Sequence, residues 1–374
     1  MRLNNFWCYR RIILSKGFAS AVWNSRKNAV AYNHGRPPTA GPYMAELDIT
    51  YQCNCRCQMC QRWNDPRRDE LSIDEYDQLA GDLHALGSHQ ISISGGEPLV
   101  RGDVFQIIAS FAQRGMSVNL CTNGLLLKKY AAEVRDSGVT CVTVSLDGAS
   151  AASHDKIRGI PGSYKKIEEG IHQLLKFPGS SRPILRVRMT VSNHNAGEIS
   201  PFYEQWHNVV DDVLLQPVHN CTDAYYTGMD DADLKIDPDV LAEQVAGTPF
   251  AGDNYIKRLI KSLKVSGSFP HQSCYAGVLM ARIDPWGNVY PCLEQHVRIG
   301  SIRENDFKTI WSSDTFEKER RRLAGNRPCS CWYNNTALIG YYGKLLGSTP
   351  GKAVKELTPH ALIDALPSVF SEKK

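Results

Sequence analysis

The sequence lacks the features that define several other classes of protein. No apolar run approaches the ~20 residues that a helix needs to cross a bilayer. Near the N-terminus, Arg10, Arg11 and Lys16 interrupt the apolar stretch that a secretory signal peptide would need. The chain also has no internal repeat and no low-complexity tract. We therefore expect a globular protein that stays in the cytoplasm.

Acidic residues are missing from the first part of the chain. Residues 1–45 contain seven Lys or Arg and no Asp or Glu, whereas the remainder has 36 basic and 39 acidic residues. The net charge of −3 on this main body argues against a nucleic-acid partner. Basic and aromatic side chains alternate in residues 1–36, which suits peripheral contact with an anionic membrane. The alternative, which we favour, is a helix docked on the main domain.

Composition and length place few limits on the chain. Its 374 residues, with 42% hydrophobic and 22% charged side chains, suit one large domain and a smaller one. The sequence contains twelve cysteines. In a reducing cytoplasm these favour metal binding over disulfides.

The region from residue 43 to residue 217 alternates strand patterns with helix patterns. Six such units predict a parallel sheet, either an open doubly wound sheet or part of a barrel. In both cases the functional loops lie at the carboxyl ends of the strands. Strands are predicted at residues 44–50, 90–94, 117–121, 139–146, 184–191 and 213–217. Helices are predicted at residues 73–86, 104–114, 126–137, 163–176, 198–208, 254–264 and 307–324, and a hairpin at 281–292 with its turn at 285–288.

A cysteine-rich loop follows the first of these strands. Cys53, Cys57 and Cys60 have the spacing C-x3-C-x2-C. Three thiolates can hold three irons of a cubane cluster and leave the fourth iron open. A zinc knuckle and a pair of disulfides are the competing interpretations. Neither predicts the second motif, Ser94-Gly-Gly-Glu-Pro98, which ends the next strand about 35 residues further on.

The two motifs together resemble the signature of the radical S-adenosylmethionine (SAM) superfamily. The resemblance implies a partial (β/α)6 TIM-like barrel, an α/β fold, in which a [4Fe–4S] cluster binds SAM at its open iron. Reductive cleavage of SAM then yields a 5′-deoxyadenosyl radical, which takes hydrogen from a C–H bond. The resemblance also implies an electron donor such as flavodoxin or ferredoxin.

The resemblance assigns roles to individual residues of this sequence. Cys53, Cys57 and Cys60 match the cluster ligands, and Cys55 is expected to be a spectator. Met59 matches a residue near the adenine, although a plain core contact explains it equally well. The remaining expected cofactor-binding residues are Gly95, Gly96 and Glu97 at the amino group of SAM, Arg158 at its carboxylate, Ser145 at its carboxylate or ribose, and the turn residue Asn123.

Further cysteines near the C-terminus resemble the auxiliary-cluster extension of this superfamily, in its one-cluster twitch form of the SPASM type. The resemblance implies a small α+β domain with a second, auxiliary [4Fe–4S] cluster. Its expected ligands are Cys274, Cys292, Cys329 and Cys331, with Cys221 as a substitute, and a structural zinc site is the alternative. The predicted division is therefore an arm and linker (1–42), a barrel (43–221), a connecting segment (222–270), the auxiliary-cluster domain (271–335) and a tail (336–374).

The expected function is hydrogen abstraction from a polar small molecule, such as a sugar or cyclitol, followed by oxidation or rearrangement. A peptide or protein substrate is the second choice, and a lipid-linked substrate at a membrane surface is the third. A cysteine-rich binding protein, in which metals only hold the fold, is the non-enzymatic alternative. It has no need for Gly95, Gly96, Glu97 or Arg158 at the ends of strands.

Overall fold

The computed structural model describes residues 11–218, 236–265, 274–325, 343–344 and 346–347. Its centre is a sheet whose first six strands are parallel. These strands are β1 (Met44–Thr50), β2 (Gln90–Gly95), β3 (Ser117–Thr122), β4 (Cys141–Ser145), β5 (Ile184–Val191) and β6 (Asp212–Pro217).

Helices connect the strands and cover the outside of the sheet. They are α1 (Phe18–Asn33), α2 (Ile73–Ala85), α3 (Val104–Ala112), α4 (Ala131–Asp136), α5 (Ala151–Arg158), α6 (Ser163–Leu175) and α7 (Ile199–Trp206). Beyond β6 follow α8 (Pro238–Ala246), α9 (Asn254–Lys264), α10 (Phe307–Trp311) and α11 (Asp314–Gly325).

The order of the strands distinguishes between the two architectures that the sequence allows. From β6 to β1 each strand pairs with its neighbour in sequence. A doubly wound sheet would reverse this order at a switch point, whereas a barrel adds each strand on the same side. The partial barrel is therefore confirmed. Every residue of β1 is buried, as expected for a strand covered on both faces.

The C-terminal hairpin extends this sheet and does not form a separate layer. Strand β7 (Met280–Ile283) pairs in parallel with β1, and β8 (Asn288–Tyr290) and β9 (Gly300–Ser301) follow in antiparallel pairs. The predicted hairpin is thus present, with residues 284–287 between its strands. Ile283 and Val289 belong to the same buried core as the barrel strands. The auxiliary domain therefore shares both a sheet and a core with the barrel.

Several predicted helices have different bounds in the structure. The helix predicted at 307–324 is wrong as a single element, because it breaks into α10 and α11. The Ser313 hydroxyl accepts the N–H of Phe316 and so begins a new helix, as N-cap residues do. The helix predicted from residue 126 begins only at Ala131. Helices α5 and α8 are not predicted, since their short sequences have no clear apolar period.

The N-terminal arm docks on the main domain through α1. Asn28 is fully buried there, and its amide donates to the carbonyl of Val278 at 3.5 Å, in addition to the linker carbonyls of Ala40 and Gly41 at 3.0 Å. The Arg11 guanidinium donates to two carbonyls of the loop before β5. Within the described part of the chain, no helix is both long and apolar enough to cross a membrane.

Candidate active site

Most of the residues singled out by the two motifs surround one cavity at the carboxyl ends of the strands. The cysteine loop follows β1, the glycine turn ends β2, and the residues after β3 and β4 complete the ring. This convergence arises because the carboxyl ends of parallel strands meet at one edge of the sheet. The cavity is lined by the predicted residues Cys53, Cys57, Met59, Cys60, Gly95, Gly96, Asn123, Ser145 and Arg158, together with Cys55.

The end of α5 holds the cysteine loop in place. The backbone N–H groups of Arg56 and Gln58 donate to the carbonyls of Arg158 and Ile157, at 3.1 and 3.0 Å. Helix α5 ends at Gly159, whose φ of +69° favours glycine. A Cβ at that position would lie only 2.3 Å from the Arg56 carbonyl oxygen. A helix that the sequence did not reveal thus positions the loop that carries the cysteines.

The sulfur atoms of the loop have unequal proton affinities. Hydrogen bonding from Cys55 lowers the pKa of Cys53, and lowers that of Cys57 to about 6 with further help from Arg158. The same hydrogen bonds raise the pKa of Cys55. Burial raises the pKa of Cys60 to about 11. Cys55 is therefore favoured as a thiol donor to its two neighbours, which suits its expected role as a spectator.

Glu97 does not line the cavity. Its carboxylate is fully buried and accepts from the Thr122 hydroxyl at 2.7 Å, and from the backbone N–H groups of Asn123 and Leu99 at 2.6 and 3.0 Å. Burial raises the pKa of Glu97, against the opposing effect of these donors. Its side chain thus fixes the ends of β2 and β3, and a direct contact with SAM stays a prediction.

Gly95 and Gly96 must be glycines because the segment that leads from β1 into the cysteine loop passes too close to them for a side chain. A Cβ on Gly95 would lie 2.1 Å from the Thr50 carbonyl oxygen, and one on Gly96 would lie 2.3 Å from that of Gln52. The backbone N–H of Gly96 donates to the Thr50 carbonyl at 2.7 Å. The glycines therefore serve the packing of β1 against β2, as well as exposing backbone to the cavity.

Arg158 is held by Asp147, a turn residue outside the set of expected cofactor-binding residues. The Arg158 guanidinium pairs with Asp147 at 2.6 Å and lies 3.7 Å from the Cys57 sulfur. Burial alone would lower the pKa of Arg158, but Asp147 and Cys57 raise it. Asp147 is fully buried and also accepts the N–H of Thr190. The Ser-Leu-Asp-Gly sequence at the end of β4 is the signal that indicates this role.

Behind Asp147 lies a buried histidine. The Nδ1 atom of His154 accepts the backbone N–H of Asp147 at 3.0 Å, and His154 is fully buried. Burial, together with the nearby Arg158, lowers the pKa of His154 to about 4. The imidazole is therefore neutral near pH 7 and acts as a fixed acceptor that orients the Asp147 turn.

The donor set of the cysteine loop fits a cubane cluster. Among the described residues, no three Cys, His, Asp or Glu side chains converge as ligands of a single metal ion. The three cysteines of a cubane bind separate irons, so their sulfurs face one cavity without meeting at one point. Cys53, Cys57 and Cys60 satisfy this condition, since all three line the same cavity.

Two of the four expected auxiliary ligands are placed by the structure. Cys292 follows β8 and is buried in a small apolar cluster with Tyr275 and Leu279, against which Cys274 packs. Cys329 and Cys331, like the substitute Cys221, lie outside the described residues. The complete auxiliary site therefore stays a prediction.

Charged and polar side chains outside the set of expected cofactor-binding residues also line the cavity. Strand residues from β1, β5 and β6 and a loop residue from the auxiliary domain contribute to it. They are Glu46, Asp48, Arg188, Gln216 and Glu294. A pair of acids at alternate positions of a fully buried strand, such as Glu46 and Asp48, is the signal that could have revealed the first two.

Comparison with known proteins places both motifs in one family. A sequence model of the Radical SAM superfamily matches residues 47–190, and one of the SPASM iron–sulfur cluster-binding domain matches residues 274–332. An AdoMet-dependent heme synthase of Methanosarcina barkeri is 28% identical, over 75% of this chain and 86% of the relative. The mycofactocin maturase MftC of Mycobacterium tuberculosis is 24% identical, over 80% of this chain and 78% of the relative.

A solved structure shares the fold. Streptococcus suis SuiB bound to S-adenosylmethionine superimposes with a TM-score of 0.62, over 84% of this chain and 76% of SuiB. Its sequence identity is only 16%, so the likeness concerns the fold alone.

Proposed function

The chain is a radical SAM enzyme with a SPASM domain, and from this premise we propose that it oxidises or rearranges a polar small molecule. SAM, a [4Fe–4S] cluster and auxiliary iron–sulfur chemistry belong to this family. The chemistry that these cofactors supply when bound is reductive cleavage of SAM, whose 5′-deoxyadenosyl radical removes a hydrogen atom from a C–H bond. The cysteine-rich binding protein without activity is thereby set aside.

The residues of the chain have distinct tasks in this proposal. Cys53, Cys57 and Cys60 would hold the cluster at the cavity. Arg158, fixed by Asp147, keeps a positive charge beside the Cys57 sulfur and so stabilises its thiolate form. The cofactor would lie along the wall formed by Met59 and by the groups at the strand ends, namely Gly95, Gly96, Asn123 and Ser145.

Polar side chains elsewhere in the lining of the cavity are the observation that carries the substrate proposal. Arg188 and Gln216 approach the cavity from β5 and β6, and Glu294 approaches from the auxiliary domain. Together they offer both signs of charge and amide hydrogen bonds, which suit a substrate with several polar groups, such as a sugar or cyclitol.

The auxiliary domain gives the proposed reaction an oxidative outcome. With Cys274, Cys292, Cys329 and Cys331 as ligands, the domain has cysteines for one fully ligated cluster. Held by these cysteines, an auxiliary cluster would supply a one-electron acceptor, so that loss of that electron and of a proton from the substrate radical would complete the oxidation. An external electron donor, such as a flavodoxin or ferredoxin, would supply the electron that cleaves SAM.

A peptide substrate is the second candidate. It is favoured by the relation to a mycofactocin maturase and by a fold shared with SuiB, which has been solved bound to its precursor peptide. The Methanosarcina barkeri relative is named a heme synthase, and this name favours a small-molecule substrate. Both candidates need the same SAM site and differ only in what occupies the rest of the cavity.

The experiment uses anaerobically reconstituted protein with SAM and dithionite. Formation of 5′-deoxyadenosine is measured with and without the low-molecular-mass fraction of a cell extract, before and after treatment of that fraction with a nonspecific protease. We expect a stimulation that survives the protease. Stimulation abolished by the protease would favour the peptide candidate, and an absence of 5′-deoxyadenosine under all conditions would refute radical SAM activity itself.

A pair of variants tests whether the polar wall contacts the substrate. Glu294→Gln removes a charge from the cavity, whereas Glu304→Gln removes one from an exposed ion pair with Arg298 in the same domain. We expect E294Q to lower the stimulated rate by about tenfold, with the unstimulated rate unchanged. E304Q serves as the control, and an equal effect of both variants would contradict a role for the cavity wall.

Membrane contact through residues 1–36 stays a prediction. Trp23 of α1 is 61% exposed, and Arg26, Lys27 and Arg36 lie beside it along a shallow groove. These side chains suit an anionic lipid surface, on which a lipid-linked substrate would be the third candidate. Co-sedimentation with phosphatidylserine vesicles measures this, and equal binding of Trp23→Ala and unaltered protein would contradict it.

A further inference from the structure

A buried carboxylate joins the cysteine loop to the auxiliary domain. Asp48 on β1 accepts from Arg62 Nη1 at 3.0 Å through one oxygen, and from Arg282 Nε at 2.9 Å through the other. Arg62 follows the last cysteine of the loop by two residues, while Arg282 lies on β7 of the auxiliary hairpin. All three side chains are at least nine-tenths buried.

The pairing of strands explains why these residues meet. Strands β1 and β7 run in parallel with Glu46 opposite Arg282, so Arg282 projects to the face that carries Glu46 and Asp48. Glu46 and Asp48 line the cavity, and so does Arg62. The auxiliary hairpin therefore places the Arg282 guanidinium in contact with Asp48, which lines the cavity, and no metal takes part in this contact.

Arg62 extends the link to the glycine turn. The Nη1 atom of Arg62 that binds Asp48 also donates to the Gly95 carbonyl at 3.1 Å. Gly95 lines the cavity, and its backbone belongs to the turn that the family uses for the amino group of SAM. The orientation of this carbonyl thus depends on where Arg62 is held, and Arg62 is held by Asp48.

The charges of this cluster depend on one another. Two guanidinium groups bind the same carboxylate in a buried place, so loss of Asp48 would remove a charged partner from both. Arg282 has a second anchor, since its Nη2 donates to the Tyr51 hydroxyl. Removing Arg282 would leave Asp48 bound to Arg62 alone and free the carboxylate to draw Arg62 away from the Gly95 carbonyl.

We propose that Asp48 and Arg282 are positioning residues for SAM, which act through Arg62 on the Gly95 carbonyl and on the end of the cysteine loop. The auxiliary domain then contributes to SAM binding through a side chain, in addition to any role of its cluster. This inference rests on membership of the radical SAM family and is independent of the substrate proposed above.

The test compares variants of this cluster with a matched ion pair elsewhere. Arg282→Gln, Arg282→Lys and Asp48→Asn alter the cluster, whereas Asp211→Asn alters a partly buried carboxylate that pairs with Arg182 at the amino ends of the strands. Each protein is reconstituted anaerobically and its iron content is measured. The dissociation constant of SAM is then obtained from the change that SAM causes in the electron paramagnetic resonance spectrum of the reduced cluster.

We expect R282Q and D48N to weaken SAM binding by about tenfold or more at unchanged iron content, as loss of a partner behind a binding group does. R282K keeps the charge but not the planar fork, so its effect should be intermediate. D211N should bind SAM within about twofold of the unaltered protein, because Asp211 lies at the amino end of β6 and the cavity lies at the carboxyl ends of the strands.

Two results would overturn the inference. The first is an unchanged SAM dissociation constant in R282Q or R282K at full iron content. The second is an equal weakening in D211N, since SAM binding would then follow general stability. If D48N fails to load iron, the fully loaded R282K protein still decides the question, because it retains the charge balance and alters only the geometry.

Discussion

The close approach of α5 to the cysteine loop makes Gly159→Ala the most informative substitution. Gly159 has a φ of +69°, and a Cβ there would lie 2.3 Å from the Arg56 carbonyl oxygen and 2.9 Å from its carbon. The left-handed conformation costs a non-glycine residue roughly 1–2 kcal/mol. In addition, the carbonyl between Cys55 and Cys57 must retreat by about 1 Å, a shift large enough to impair a functional site.

Gly162→Ala provides the matched control. Gly162 has a φ of +76°, and a Cβ there would meet no atom within 4 Å. G162A therefore carries the conformational cost alone, and G159A carries that cost together with the clash against the loop. We expect both variants to lower the free energy of unfolding by roughly 1–2 kcal/mol or more, with the larger loss in G159A.

The decisive measurement is iron per chain after anaerobic reconstitution, combined with the yield of 5′-deoxyadenosine. We expect G162A to load iron and cleave SAM like the unaltered protein. We expect G159A to lose cluster binding or to lower the yield by about a hundredfold. If G159A matched G162A in both measurements, α5 would not be what positions the cysteine loop.

Three further predictions concern single side chains. Cys57→Ala should abolish 5′-deoxyadenosine formation, whereas Cys55→Ala should retain it, as chromatography of the products would show. Cys292→Ala should lower the iron content by about half while SAM cleavage persists. His154 has a folded pKa of about 4, below its unfolded value, so the unfolded chain binds protons more readily. Stability should therefore fall by about 2 kcal/mol from pH 7 to pH 5, and denaturation of His154→Gln should show a weaker dependence.

Some elements could be predicted from the sequence to the residue. Strand β5 and helix α9 have the predicted bounds, because an alternating run and a strongly amphipathic run are clear local signals. Helix α5 has no such signal, since its eight residues are mostly small or polar. The single helix predicted at 307–324 failed because a serine pair inside it can end one helix and begin another.

The candidate site likewise has parts that can be predicted from the sequence and parts that cannot. The cysteine loop, the glycine turn, Asn123 and Ser145 could be placed together from the sequence, because each follows a strand of a parallel sheet. The direction of the Glu97 side chain could not be foreseen, since it depends on donors at the end of β3 and just after it, 25 and 26 residues further along. The sequence offers signals for Asp147 and Asp48 as buried acids, but it does not show that they pair with Arg158 and Arg62, because those contacts depend on tertiary packing.

The sequence by itself determined the chemistry of this protein: three cysteines at fixed spacing, and a glycine turn one strand later, are local patterns that need no neighbours to be recognised. Only the tertiary structure decided how these patterns are held. The pairing of β7 with β1 brings Arg282 to Asp48 across 234 positions of the chain, and α5 supports the cysteine loop across about a hundred. Contacts at such separations arise from the packing of the whole sheet, and no local pattern records them.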